Sequence, residues 1–106
     1  MTTMTGILYT SDTMLGHALK KAFAGARVKL YDLSTLGHLS RELDELGPRF
    51  ILLDTEGFFL EDAKRALLAQ SGLPLFCLGQ DWGLGTPIPK PINPQELVQK
   101  MMSALR

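Results

Sequence analysis

The sequence predicts an α/β protein: a doubly wound, three-layer sandwich around a five-stranded parallel sheet. Three observations predict it. Short apolar runs alternate with amphipathic stretches in the order β-α-β-α-β-α-β-loop-β-α, the pattern of successive βαβ units. Two of the runs, Phe50-Ile51-Leu52-Leu53 and Leu75-Phe76-Cys77-Leu78, are apolar without alternation, as central strands buried on both faces must be. Right-handed crossovers then distribute the helices to both sides of the sheet. The 106 residues are read as a single domain, 1–106, long enough to bury one real core.

The elements follow in order. Ile7-Leu8-Tyr9 is the first strand, ended by Thr10-Ser11-Asp12-Thr13, a group also rich in helix N-cap residues. Met14, Leu15, Ala18, Leu19, Ala22 and Phe23 recur at helical spacing, Lys20 and Lys21 fall near the helix end, and Gly25 stops it. Residues 27–33 read as a second strand with Val28 and Leu30 on one face. Ser34 and Thr35 offer caps for a second helix whose stripe is Leu36, Leu39, Leu43 and Leu46, ended by Gly47-Pro48. The third strand stops at Asp54. A third helix over 60–70 puts Leu60, Ala63, Ala66 and Leu67 on its core side, and Ser71-Gly72 closes it. After the fourth strand comes a glycine-rich loop, 79–85. Residues 86–89 are a weak fifth strand, confined to a sheet edge because Pro87 and Pro89 lack an N–H. Asn93-Pro94-Gln95-Glu96 places Asn at N-cap, Pro at N1 and Glu at N3 of the last helix, whose buried face is Leu97, Val98, Met101, Met102 and Leu105.

Composition excludes several classes. Eleven Lys+Arg balance eleven Asp+Glu, so the net charge is zero and no global field holds nucleic acid or an anionic membrane. No apolar run approaches the roughly 20 residues that span a bilayer, and the first residues do not read as a secretory signal. One cysteine, Cys77, rules out an internal disulfide and a Cys-rich zinc site, and it reads as an inert core residue. The expected location is the cytoplasm. His17 and His38 stand alone on separate helices without a ligand pattern, and the loop 79–85 lacks the Lys-Ser/Thr of a phosphate-binding P-loop.

Three charged residues fall at carboxyl ends of strands, where open α/β sheets gather their functional groups: Asp12, Asp54 and Lys90. Two carboxylates there could share a hard divalent cation such as Mg²⁺, and Lys90 could give a point charge to a phosphoryl oxygen in line with a carboxylate nucleophile. This set, with Leu52-Leu53-Asp54 and Pro89-Lys90-Pro91-Ile92-Asn93-Pro94-Gln95-Glu96-Leu97, resembles the receiver domain of two-component response regulators over nearly the whole chain, from Ile7 to Leu105. The resemblance implies a flavodoxin-like strand order, 2-1-3-4-5. It implies Asp54 as phosphoacceptor and metal ligand, Asp12 as a second metal ligand, Glu56 lending its backbone carbonyl to Mg²⁺, and Lys90 as phosphate partner. It also implies a cis Lys90–Pro91 bond, and a signalling domain, not an enzyme.

The chain departs from the family pattern at telling places. Ser11 stands where the first residue of an acidic pair is usual, Gly79 where a Ser or Thr ends strand four, Pro87 where an aromatic switch residue is usual, and Phe58 where proline is usual. Seven residues, 79–85, are too few for a parallel crossover with its own helix. The family's fourth helix, between strands four and five, is therefore expected to be missing or reduced to one turn, with Trp82 and Leu84 folding down over the sheet. Apolar surface left by that loss would favour a homodimer. The first functional reading is a stand-alone receiver of a phosphorelay. It takes phosphate from a histidine kinase or phosphotransfer protein onto Asp54 with Mg²⁺ and signals to a downstream protein partner. The alternative is a pseudo-receiver that acts only as a protein-interaction module, with a Lys90–Asp54 pair that holds no phosphate. A third reading is an unrelated flavodoxin-like ligand binder.

Overall fold

Residues 4–56 and 60–105 are described by the computed structural model of the chain. Phe58 lies outside them. Five strands, β1 (Met4–Tyr9), β2 (Val28–Leu33), β3 (Ile51–Asp54), β4 (Leu75–Leu78) and β5 (Thr86–Ile88), form one parallel sheet in the order β2-β1-β3-β4-β5. Four helices accompany them: α1 (Thr13–Gly25), α2 (Leu39–Leu46), α3 (Asp62–Gln70) and α4 (Pro94–Ala104).

The continuous apolar strands sort their side chains to two faces. Leu8, Leu52, Phe76 and Leu78 point into a cluster with Leu19 and Phe23 of α1 and Leu97, Val98 and Met101 of α4. Ile7, Tyr9, Ile51 and Leu53 point the other way, against Leu39 of α2 and Leu68 of α3. Alternation inside an unbroken apolar run thus serves two cores at once, and each fully buried Leu or Ile contributes about 1.5–3 kcal/mol relative to exposure. Phe23 and Phe50 meet at a ring-centroid distance of 5.5 Å in the first cluster. In the second, the buried Tyr9 hydroxyl donates to Glu42 Oε1 at 2.9 Å.

Local signals fix most boundaries. Asp12 caps α1, its carboxylate accepting from Leu15 N at 3.1 Å. Gly47 ends α2 at φ +56° in the left-handed conformation. Asn93 Oδ1 accepts from Gln95 N and Glu96 N, with Pro94 at the first helical position of α4. Three details differ from the sequence reading. Met14 is 82% exposed and Ala18 is also outside the core, because α1 turns Leu15, Leu19, Ala22 and Phe23 inward and lays Gly16 against the Asp32 carboxylate. The second helix begins at Leu39, with His38 and not Ser34 or Thr35 at its N-cap, although Leu36 is buried as expected. In α3, Leu68 is the buried residue and Ala63 and Ala66 are exposed.

The 79–85 segment between β4 and β5 contains no helix, and the chain's fourth helix, α4, follows β5. Trp82 and Leu84 pack half-buried against the second cluster. Arg65 Nη1 of α3 donates to the Trp82 carbonyl at 2.7 Å, and the Cys77 thiol donates to the Leu84 carbonyl at 3.2 Å. These contacts cover the sheet: among the described residues, Met14 on α1 is the large hydrophobic side chain left exposed. Among the described residues no helix is long and apolar enough to cross a membrane.

Candidate functional site

Parallel register assembles the site. Tyr9 pairs with Leu53, Asp54 with Leu78, and Leu78 with Ile88. The residues just past those pairs therefore lie side by side along the carboxyl edge: Thr10 next to Asp54, Thr55 next to Gly79, and Lys90 two residues beyond the end of β5.

Asp54 sits at the centre, its side chain 2% exposed. Its Oδ2 accepts from the Thr10 hydroxyl at 2.6 Å. Its Oδ1 accepts from Lys90 Nζ at 2.8 Å and from the Glu56 backbone N–H at 3.1 Å. Both oxygens of a buried carboxylate are thus engaged by donors, as burial requires. Lys90 Nζ also reaches Glu56 Oε2 at 3.2 Å. Burial alone would lower the Lys90 pKa, but hydrogen bonds to Asp54 and Glu56 and their negative charge outweigh it and hold the ammonium above its ordinary value. The Lys90–Pro91 bond is cis.

The structure brings together Asp54, Glu56 and Lys90. Asp12 is exposed, and its Oδ1 accepts from Leu15 N in the first turn of α1. The first loop reaches Asp54 through Thr10, whose hydroxyl also accepts from Asp12 N at 3.0 Å. Glu56 contributes its N–H and its carboxylate. A hard divalent cation is held by oxygen donors. In this arrangement both Asp54 oxygens face donors, and no group of three or more His, Cys, Asp or Glu comes together among the described residues.

Two further residues belong to the site. The Thr55 hydroxyl is buried, donates to the Leu78 carbonyl at 3.1 Å and accepts from Gln80 N at 2.7 Å. Gly79 adopts φ +112°, and a Cβ there would lie 2.7 Å from Thr55 Oγ1 and 3.8 Å from Lys90 Cε. Thr55 therefore fills the space in which a side chain at residue 79 would stand. Sequence reasoning missed Thr10 and Thr55 because each looks like an ordinary polar strand ending. The register beside Asp54 and Gly79 is the signal that finds them.

His17 and His38 are exposed, on α1 and at the start of α2. Cys77 is fully buried, and burial pushes its thiol pKa up, as an inert core residue requires.

No family model matches the sequence, and no curated protein matches it. Solved structures do. The chain is similar to the N-terminal domain of the nisin resistance regulator NsrR, a lantibiotic response regulator, with a TM-score of 0.79 and 21% identity over 97% of this chain and 98% of that one. It is similar to the chemotaxis response regulator CheY4 of Vibrio cholerae, with a TM-score of 0.78 and 13% identity over 99% and 100% of the two chains. A response regulator from Thermotoga maritima matches with a TM-score of 0.76 and 15% identity over 98% of each chain. The fold is that of response regulator receiver domains.

Proposed function

We propose that the chain is a receiver-fold signalling domain that works by binding another protein and does not depend on phosphorylation of Asp54. The observation that carries this reading is the closure of Asp54 by Thr10, Lys90 and Glu56. A carboxylate that attacks a phosphoryl group needs a free oxygen, an open approach and positive charge for the incoming oxygens. Asp54 has both oxygens engaged and its side chain almost wholly buried, while Lys90 already faces two carboxylates. Gly79 offers no hydroxyl to follow a phosphoryl group, and the Thr55 hydroxyl, which takes its space, is committed to Leu78 and Gln80. The likeness in fold to response regulators supports the signalling half of the reading.

The retained Asp54–Lys90 pair favours a second reading, a phosphorelay receiver that takes phosphate from a histidine kinase or phosphotransfer protein with Mg²⁺. Intact-protein mass after incubation with acetyl phosphate and Mg²⁺, for wild type and Asp54→Asn, separates the two. The expected result is no phosphoryl adduct on either protein. An adduct on wild type that Asp54→Asn lacks would establish the phosphorelay reading instead.

A further inference from the structure

We propose that Glu56 is a built-in anion that holds Lys90 closed to oxyanions from solution. The proposal rests on the reading of a self-satisfied Asp54 site and states how that site is kept shut. An ammonium group has three N–H donors. Lys90 sends one to Asp54 Oδ1 at 2.8 Å, and its Nζ forms an ion pair with Glu56 Oε2 at 3.2 Å.

An exposed ion pair is ordinarily worth little, because two long side chains must be ordered for one screened attraction. Glu56 is placed differently. Its backbone N–H donates to Asp54 Oδ1, the same oxygen that anchors Lys90. Main chain and partner are thus fixed on one buried carboxylate, and only the Glu56 side chain remains to be ordered. That side chain is 69% exposed while Asp54 behind it is buried, so it stands on the solvent side of the ammonium, where an anion from outside would approach.

Charge points the same way. Two carboxylates against one ammonium leave the cluster with a net negative charge, which repels a tetrahedral oxyanion. With Glu56 neutral, the Asp54–Lys90 pair carries no net charge. The Lys90 side chain is 23% exposed, and its ammonium then has donors free to face solvent.

The test titrates inorganic phosphate, at constant ionic strength, into ¹⁵N-labelled wild type, Glu56→Gln and Glu56→Gln/Lys90→Met, following the amides of residues 54–56 and 79–80. Removing a like charge beside the site should make Glu56→Gln bind phosphate about tenfold tighter than wild type. Adding Lys90→Met should abolish that gain. Equal affinity in wild type and Glu56→Gln overturns the proposal, as does a gain that survives Lys90→Met in a folded protein. Should Lys90→Met unfold the chain, the wild-type and Glu56→Gln pair decides alone. The outcome is separate from the acetyl phosphate experiment. An adduct on wild type sinks the functional reading, whereas equal phosphate affinity sinks only the role given to Glu56.

Discussion

Residues 55 and 79 exchange a volume. Gly79 holds φ +112°, which side-chain-bearing residues rarely adopt, and the Thr55 hydroxyl occupies the place of its absent Cβ. Gly79→Ser should therefore destabilise the fold by about 1–3 kcal/mol through backbone strain, with a steric cost added by Thr55. Thr55→Ala should cost about 1–2 kcal/mol through two lost hydrogen bonds. The steric part is shared, so the double variant should lose less than the two singles together, read as a coupling in a double-mutant cycle of urea unfolding. Strict additivity would show that the two residues do not compete for space. The same pair marks what the sequence could disclose of the site. Asp54 and Lys90 were legible as charged residues at strand ends, and Gly79 as a missing hydroxyl. Thr10 and Thr55 were not, because their partners depend on which residues of neighbouring strands lie in register. Asp12 was legible as a helix cap, and the structure shows it capping α1.

At the scale of elements, β2 to β5 and the last helix were read within a residue or two, because unbroken apolar runs and a strong cap leave few alternatives, while β1 begins three residues ahead of its apolar run, at Met4. Helix faces were less determined. In α3, alanines can join either of two adjacent stripes at little energetic difference, and the larger Leu67–Leu68 pair decides the phase. In α1, Met14 matches the apolar spacing, but the packing of Leu15, Leu19 and Phe23 turns it to solvent. The short 79–85 connection was decisive because chain length is a hard geometric limit. With no helix there, Trp82 and Leu84 do the covering, and Arg65 ties the Trp82 carbonyl to α3. Trp82→Ala should accordingly destabilise the protein by about 1–2 kcal/mol, less than the 3–5 kcal/mol typical of a fully buried aromatic, since Trp82 is half-buried. Urea unfolding measures it. A wild-type midpoint would mean that the link contributes nothing to the core.

For the molecule as a whole, zero net charge removes global repulsion near neutral pH, so the pH dependence of stability falls to a few buried groups. Three groups act together at the alkaline end, one of them the Cys77 thiol, which burial holds above its ordinary 9.0. Burial, the hydrogen bond to Glu42 and the Glu42 charge push the Tyr9 phenol far above its ordinary pKa of 10.0. Lys90 is held above 10.5 against the opposing effect of its burial by Asp54 and Glu56. In each case the folded-state pKa exceeds the unfolded one, so the unfolded chain releases its proton first. Stability from these groups is complete below about pH 9, where the unfolded Cys77 thiol begins to titrate, and is lost as pH rises through the folded-state values. The unfolding free energy should stay level to about pH 9 and fall beyond it, more steeply than a protein with solvent-exposed cysteines, tyrosines and lysines would show. Tyr9→Phe separates the phenol from the other two groups. It removes the phenol and its bond to Glu42, costs about 1 kcal/mol at neutral pH, and leaves a half-buried Glu42 that water can solvate. It should also remove the phenol's share of the alkaline slope and leave those of Lys90 and Cys77. Urea unfolding of wild type and Tyr9→Phe at a series of pH values from 7 upward reads both effects. Identical slopes above pH 10 in the two proteins would show that Tyr9 titrates alike in the folded and unfolded states, contrary to its burial in the β1–α2 core.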